Sequence, residues 1–212
     1  MLSTTHLFII AYLLGSLPFA LWMGKWVKGI DIREVGSKNM GASNVFREIG
    51  PLYGVVVLLL DMLKAFVAVQ LVHLLPAGAW MVHEITLWKF MLGGIAVLGH
   101  LLPLFAGFRG GKGVASLFGM VLAIQPIIAF VCVGVFLLVV WLTRYISLGS
   151  IAGVVVFAAC VWFAVKEADI YIKWFSIVAA LAIILMHRNN MIRLLKGTEK
   201  RISFRKKRKQ DD

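Results

Sequence analysis

Cations and glycines are concentrated in residues 107–113, which read GFRGGKG between two apolar runs. Glycine allows backbone N–H groups to converge on a small anion, because no Cβ blocks the approach. Lys112 supplies a point charge, and Arg109 supplies a planar fork that fits phosphate oxygens. The segment therefore indicates a phosphate site; the alternative is a glycine-rich turn whose two cations only orient the chain in a membrane. It is not a Walker A loop, because Gly113 rather than Ser or Thr follows Lys112.

Residues 36–47 form a second segment that could hold a phosphate or a hydroxyl. Its hydrogen-bonding side chains include Ser37, Asn39, Ser43, Asn44 and Arg47. A structural explanation is also available, because Ser and Asn are preferred at helix N-caps. We expect Ser43 or Asn44 to begin a short helix that continues through Ile49. Arg47 would point from this helix towards a ligand or towards lipid headgroups.

The third segment, residues 187–199, places His187 and Asn190 three positions apart, on one face if the segment is helical. Histidine exchanges protons near neutral pH, and the Asn190 amide could orient a hydroxyl. Taken alone, a histidine at a helix end is more commonly a capping or interfacial residue. The cations from Arg201 to Lys209 predict a tether to anionic lipid.

Composition places these segments in a membrane protein. The 212 residues are 61% hydrophobic with a mean hydropathy of +0.91, whereas soluble domains are roughly 45–50% apolar. The net charge of +12 does not indicate nucleic-acid binding, because Lys and Arg cluster between apolar runs, as in cytoplasmic loops. Cys132 and Cys160 lie inside apolar runs, and we expect them to pack there rather than to bind metal or form a disulfide.

Apolar runs occupy residues 4–24, 52–75, 85–106, 114–142, 147–165 and 170–187. The run 114–142 is too long for one comfortable span, and Pro126 is expected to turn it into a helical hairpin. Glu167 and Asp169 mark an outside turn, and the basic segments belong inside. We therefore predict an all-α polytopic integral membrane protein with about seven transmembrane helices, its N-terminus outside and its C-terminus cytoplasmic. A rival prediction has five spans, with the hairpin and one other run only partly inserted.

This seven-span topology puts the three polar segments on one side of the membrane, where they could form one site. Inside an apolar run, Asp61 and Lys64 are three residues apart and can pair on a helix. An intramembrane pair indicates either a functional site or a lock between helices, and His100 is open to the same two interpretations. The sequence has no metal-binding motif and no His-x₄-Asp motif of thioester-dependent glycerolipid acyltransferases, so we predict neither metal nor cofactor.

Together the three segments resemble the bacterial glycerol-3-phosphate acyltransferases that use acyl phosphate, the PlsY family. The matching motifs are Gly36-Ser37-Lys38-Asn39 through Arg47, Gly99-His100 through Ala115, and His187-Arg188-Asn189-Asn190 through Glu199. Lys38 stands where the family commonly has Gly. The likeness extends over essentially the whole chain, and implies a single acyltransferase domain over residues 1–212 with a basic cytoplasmic tail from about residue 200.

The resemblance implies acyl transfer from acyl phosphate to the 1-hydroxyl of sn-glycerol 3-phosphate, giving lysophosphatidic acid and phosphate as the first step of phospholipid synthesis. It implies a multi-pass protein of the bacterial cytoplasmic (inner) membrane whose active site faces the cytoplasm. The expected partners are the two substrates, membrane lipid and the soluble enzyme that makes acyl phosphate. Acyl phosphate is an activated mixed anhydride, so direct attack by the glycerol hydroxyl needs orientation and charge stabilisation but no metal.

The same resemblance implies roles for individual residues. The residues implied to be catalytic are Ser37, Lys112, His187 and Asn190, with His187 orienting the hydroxyl or accepting its proton. Those implied to bind substrate are Asn39, Asn44, Arg47, Arg109, Gly110, Gly111, Gly113 and Arg188. The rival function is a membrane carrier for phosphorylated metabolites, although a carrier would place its cations near the bilayer midplane, on discontinuous helices.

Overall fold

Proline and glycine set the ends of most helices in this chain. The computed structural model describes residues 3–75, 82–164 and 170–202, without the side chains of residues 82–84. The predictions for Glu167, Asp169 and residues 203–209 fall outside these ranges. The α-helices of the described residues are α1 (Thr4–Gly15), α2 (Phe19–Lys28), α3 (Ala42–Glu48), α4 (Pro51–Gln70), α5 (Val82–Leu101), α6 (Val114–Ile124), α7 (Pro126–Thr143), α8 (Ile146–Ala159), α9 (Ile170–Met186) and α10 (Arg188–Leu195).

Three prolines explain three of the helix boundaries. Pro18 separates α1 from α2, Pro51 is the first residue of α4, and Pro126 is the first residue of α7. Proline lacks a backbone N–H and clashes with the preceding turn, but it fits the first position of a helix. The predicted break in the run 114–142 is therefore present, at Gln125–Pro126.

Among the described residues, five segments are long and apolar enough to cross a membrane: Thr4–Lys28, Pro51–Leu74, Ile85–Ala106, Pro126–Thr143 and Ile146–Ala164. A sixth is available in α9, which ends at Met186, and α10 bends away from it by 56°. Helix α6 has only 11 residues, which at 1.5 Å per residue is about 16 Å and too short for a complete crossing. The protein is thus an all-helical integral membrane protein, while the count of seven spans and the sides of the termini stay predictions.

Helix α4 lies at the centre of the bundle and packs against α1, α3, α5 and α6. Small residues make the close crossings possible. A Cβ at Gly119 of α6 would collide with the backbone of Met62 in α4, and one at Gly15 of α1 would collide with that of Ala96 in α5. Close approach at small residues is the usual way in which membrane helices associate, and here it fixes the middle of α6 beside α4.

A buried polar cluster joins three segments of the bundle. Lys64 Nζ lies 2.8 Å from Asp61 Oδ1 and 3.0 Å from His100 Nδ1, and it donates to the Leu17 carbonyl at 3.0 Å. All three side chains are almost fully buried. The predicted Asp61–Lys64 pairing is confirmed, and the cluster ties α4 to the end of α5 and to the break between α1 and α2.

Candidate active site

The first polar segment is held by Asn44. Helix α3 begins at Ala42 with Gly41 at its N-cap, so the prediction that Ser43 or Asn44 begins this helix is wrong. The Asn44 side chain is fully buried; its amide nitrogen donates to the carbonyls of Ile32, Val35 and Asn39, and its Oδ1 accepts from the Ser37 N–H at 3.0 Å. Asn44 therefore shapes the loop from the inside instead of capping the helix.

The loop held by Asn44 displays Ser37, which is exposed and has no partner for its hydroxyl among the described residues. Asn39 is half-buried beside it. Lys38 adopts a positive φ of 55°, a conformation in which a Cβ is unfavourable. A glycine would adopt it without strain.

The glycine segment folds back against the end of α5. After a short 3₁₀ turn at Leu104–Ala106, the Gly111 N–H donates to the carbonyl of His100 at 3.1 Å. A Cβ at Gly110 or Gly111 would collide with His100, and one at Gly111 would also lie 2.8 Å from the Met40 carbonyl. Glycines are thus required where the loop passes between α5 and the first segment, and this passage turns Lys112 inward.

The third segment doubles back on itself. Helix α10 starts after the bend at His187, and Gly197 reverses the chain with a φ of 68°. The Glu199 N–H then donates to the Arg193 carbonyl at 3.2 Å. This reversal returns the Glu199 side chain to the face of α10 that carries Asn190 and Arg193, as expected for residues three apart.

These segments meet in a polar cluster centred on Glu199. Lys112 Nζ donates to Asn190 Oδ1, and Asn190 Nδ2 donates to Glu199 Oε1 at 2.6 Å. The Arg193 guanidinium lies 2.7 Å from Glu199 Oε2, and the Ser147 hydroxyl from the start of α8 donates to Oε1 at 2.9 Å. The carboxylate therefore fixes which way the Asn190 amide faces, and so presents its oxygen to Lys112.

The cluster shifts the pKa values of its members. Burial, together with repulsion from Arg193 and Arg47, outweighs the attraction of Glu199 and lowers the pKa of Lys112 to about 8. Burial opposes ionisation of Glu199, but the hydrogen bonds from Asn190, Arg193 and Ser147 outweigh it and hold its pKa below the ordinary value. The site thus has excess positive charge around one ionised carboxylate.

His187 directly follows Met186, the last residue of α9, and is close enough to Lys112 to be affected by its charge. Burial and the charge of Lys112 lower the pKa of His187 to about 4, so the imidazole is neutral at pH 7. Its Nδ1 lies 2.8 Å from the Ile183 carbonyl, which can only accept, so the proton is on Nδ1. Nε2 is then free to accept a hydrogen bond.

Arg47 of α3 indicates where an anion could bind. Its Nε is buried and has no hydrogen-bond partner among the described residues, although the guanidinium is near enough to Glu199 and Arg193 for their charges to shift its pKa. A buried donor without a partner costs about 1–3 kcal/mol. An anion bound between Arg47 and Lys112 would remove that cost.

Beside the polar cluster is an apolar cavity of about 240 Å³. Residues from α4, α6, α7, α8 and α9 line it. Three of them are close in sequence to residues of the polar cluster: Val114 is two residues after Lys112, Ser150 is one turn from Ser147, and Ile183 accepts the hydrogen bond of His187. The geometry thus combines an anion site with an apolar volume that adjoins it.

Several of the predicted binding residues make no described contact with this cluster. Asn39 and Asn44 belong to the loop of the first segment, and Gly110 and Gly111 lie against His100. Arg109 is 64% exposed and lies 3.5 Å from the exposed Glu34. Arg188 is exposed at the start of α10. Sequence reasoning in turn assigned no role to Glu199, Arg193 or Ser147. The spacing of Asn190 and Arg193 was a usable signal, whereas nothing local connects Ser147 to a carboxylate 52 residues later.

Comparison with known proteins identifies the family of this chain. Residues 5–197 match the family described as glycerol-3-phosphate acyltransferase. The chain belongs to this family. The chain is therefore a glycerol-3-phosphate acyltransferase, and the predicted resemblance is confirmed at that level.

Relatives from distant bacteria match along the whole length. The glycerol-3-phosphate acyltransferase of Chlorobaculum tepidum is 38% identical over 98% of this chain and 100% of its own. The one from Fusobacterium nucleatum is 35% identical over 92% and 96%.

Two crystal structures of PlsY, an integral membrane glycerol 3-phosphate acyltransferase, are also similar. Each is 38% identical to this chain and covers 94% of it and 95% of the other chain. The glycerol 3-phosphate form has a TM-score of 0.82, and the lysophosphatidic acid form one of 0.79.

Proposed function

We propose that this acyltransferase takes its acyl group from acyl phosphate, transfers it to the 1-hydroxyl of sn-glycerol 3-phosphate, and releases lysophosphatidic acid and phosphate. One observation carries the proposal: Lys112 and Arg47, whose buried Nε has no hydrogen-bond partner among the described residues, belong to one buried cluster that adjoins an apolar cavity. A cationic site beside an apolar cavity suits an acyl phosphate better than a water-soluble anion.

Both substrates carry a phosphate, and the cluster has cations for two. We assign the phosphate of the acyl donor to Lys112 and to the backbone N–H groups of Gly110 and Gly113, because the Gly111 N–H already donates to the His100 carbonyl. Glycerol 3-phosphate is assigned to Arg47, Ser37 and Asn190. Burial, together with the charges of Arg193 and Arg47, lowers the pKa of Lys112. The cations of this cluster support the pairing, because two bound phosphates would neutralise them.

The reaction needs no covalent intermediate on the protein. The glycerol oxygen attacks the acyl carbon, the bond from that carbon to the phosphate oxygen breaks, and phosphate leaves with the electron pair. The Nε2 lone pair of His187 orients the hydroxyl. With a pKa of about 4, His187 is a weaker base than a substrate phosphate, whose second pKa is about 6, so the proton passes to a phosphate oxygen.

We place this reaction at the cytoplasmic face of the bacterial inner membrane, as the first step of phospholipid synthesis. The cations of the three polar segments support that side, because cytoplasmic loops carry the excess of Lys and Arg. A soluble enzyme that makes acyl phosphate is the expected partner, since this labile anhydride must be delivered where it is used.

The donor is tested with purified protein in detergent and labelled glycerol 3-phosphate. Palmitoyl phosphate, palmitoyl-CoA and palmitoyl-acyl carrier protein are supplied in parallel, and labelled lysophosphatidic acid is measured. We expect product from palmitoyl phosphate alone, and loss of it in Lys112→Ala. Product from either thioester at a comparable rate would contradict the proposed donor. No product from any donor, in protein with a normal melting temperature, would contradict the acyltransferase assignment and favour a carrier.

A further inference from the structure

Glycines line the apolar cavity at two points along α8, and they differ in the space around them. A Cβ at Gly149 would lie 2.6 Å from Val140 Cγ2 and 3.0 Å from the Phe136 carbonyl oxygen. A Cβ at Gly153 would lie 3.4 Å from the Cys132 carbonyl oxygen and 3.9 Å from Phe136 Cβ, which is ordinary contact. Gly149 therefore serves close packing of α7 on α8, whereas that packing does not require a glycine at Gly153.

Because Gly153 has no side chain, it also affects the space inside the cavity. The residue lines the cavity, and it lies six residues beyond Ser147 of the polar cluster. At 1.5 Å per residue, that is about 9 Å further along α8. Phe157, which also lines the cavity and is almost fully buried, lies about 15 Å from Ser147 by the same measure.

We propose that Gly153 determines which acyl-chain lengths the enzyme accepts, because the absence of a side chain leaves the middle of the cavity open. The proposal rests on the proposed function, in which the acyl phosphate head lies at Lys112 and its tail enters this cavity. The lining of the cavity is almost entirely apolar, with Ser150 as its hydroxyl residue, and the Ser150 hydroxyl donates to the Ile146 carbonyl of its own helix. An alkyl chain would thus meet no unpaired polar group on Ser150.

The geometry gives a length at which the effect should begin. An extended alkyl chain advances about 1.3 Å per carbon, from single bonds of about 1.5 Å at tetrahedral angles. About seven carbons therefore fit between the polar cluster and Gly153, and about twelve reach Phe157. An octanoyl chain ends near Gly153, while a hexadecanoyl chain must pass it.

The test compares chain-length profiles. Gly153→Leu fills the middle of the cavity, Gly153→Ala fills it in part, and Gly134→Leu is the matched control. Gly134 is an exposed glycine of α7 at which a Cβ would meet nothing within 4 Å. For each variant, kcat/KM is measured with octanoyl, dodecanoyl and hexadecanoyl phosphate under the same detergent conditions.

We expect Gly153→Leu to lower kcat/KM for hexadecanoyl phosphate at least about tenfold, the scale of forcing extra atoms into a filled site. The value for octanoyl phosphate should stay within about twofold, which also shows that the variant is folded. Gly153→Ala should lie between the two, and Gly134→Leu should match the wild type.

Different failures separate this proposal from the one on which it rests. Suppose that the wild type accepts acyl phosphates. If Gly153→Leu then has the wild-type chain-length profile, Gly153 does not determine length. The same conclusion follows if Gly153→Leu loses activity equally with all chain lengths while Gly153→Ala has the wild-type profile. If the wild type uses no acyl phosphate of any length, the proposed donor itself is wrong.

Discussion

Titration of Lys112 should limit the activity on the alkaline side. Its pKa of about 8 means that about nine-tenths of the enzyme carries the charge at pH 7 and about one-tenth at pH 9. If the ammonium holds the donor phosphate, kcat/KM for acyl phosphate should fall about tenfold between these pH values, since kcat/KM reports the free enzyme. The substrate phosphates finish ionising nearer pH 6, so they do not produce this fall.

The same electrostatics predict a difference between the two kinetic parameters. A bound phosphate brings negative charge to Lys112 and raises its pKa in the complex. The alkaline limb of kcat should therefore lie at higher pH than that of kcat/KM. Initial rates between pH 6.5 and 9.5 with labelled glycerol 3-phosphate measure both, and enzyme-free tubes correct for donor hydrolysis.

Substitution by arginine shows which group titrates. A guanidinium stays charged across this range, so Lys112→Arg should lose the alkaline limb of kcat/KM whatever its remaining rate. Lys196→Arg, at an exposed lysine just after α10, is the matched control and should keep the wild-type profile. A wild-type kcat/KM that is flat to pH 9.5, or a Lys112→Arg variant that still breaks near pH 8, would refute the reasoning.

Two further predictions concern the other charged residues. Lys64→Met leaves the buried Asp61 carboxylate without its cation and should lower the free energy of unfolding by about 3–5 kcal/mol. The double variant with Asp61→Asn should recover part of that loss in detergent unfolding curves. An equal or greater loss in the double variant would count against the pairing. Arg47→Gln should lower kcat/KM for glycerol 3-phosphate about a hundredfold or more, the scale of losing a hydrogen-bonded charge, whereas Arg109→Gln at its exposed ion pair should change it by about twofold at most. Similar losses in the Arg47 and Arg109 variants would mean that the exposed arginine reaches the substrate.

Local patterns in the sequence predict some features well and others poorly. The break at Pro126 follows from one residue's chemistry, and the pairing of Asp61 with Lys64 follows from helical spacing; both are present. The predicted start of α3 was wrong because Asn44 does not cap the helix. Its amide instead forms hydrogen bonds with several backbone groups inside the loop. A local preference was overridden by contacts that form only when the loop closes.

Long-range contacts account for the rest of the candidate site. Glu199 becomes its centre because Gly197 reverses the chain and α8 brings Ser147 to the same carboxylate, and neither event has a signature in a single motif. The third partner of the buried ion pair, His100, comes from another helix. The cavity is likewise built from five helices, so its depth at Gly153 could only be read from the packed structure.

Single-turnover kinetics test the central claim. This claim is that the acyl group passes directly from acyl phosphate to glycerol 3-phosphate while one cluster holds the phosphates of both substrates. Excess enzyme is mixed with radiolabelled palmitoyl phosphate, first without and then with glycerol 3-phosphate, and free phosphate, lysophosphatidic acid and label on the denatured protein are measured. The account predicts no phosphate burst and no labelled protein before the acceptor is added, and then equal amounts of phosphate and lysophosphatidic acid at one rate. A burst of phosphate together with acylated protein in the absence of glycerol 3-phosphate would contradict it.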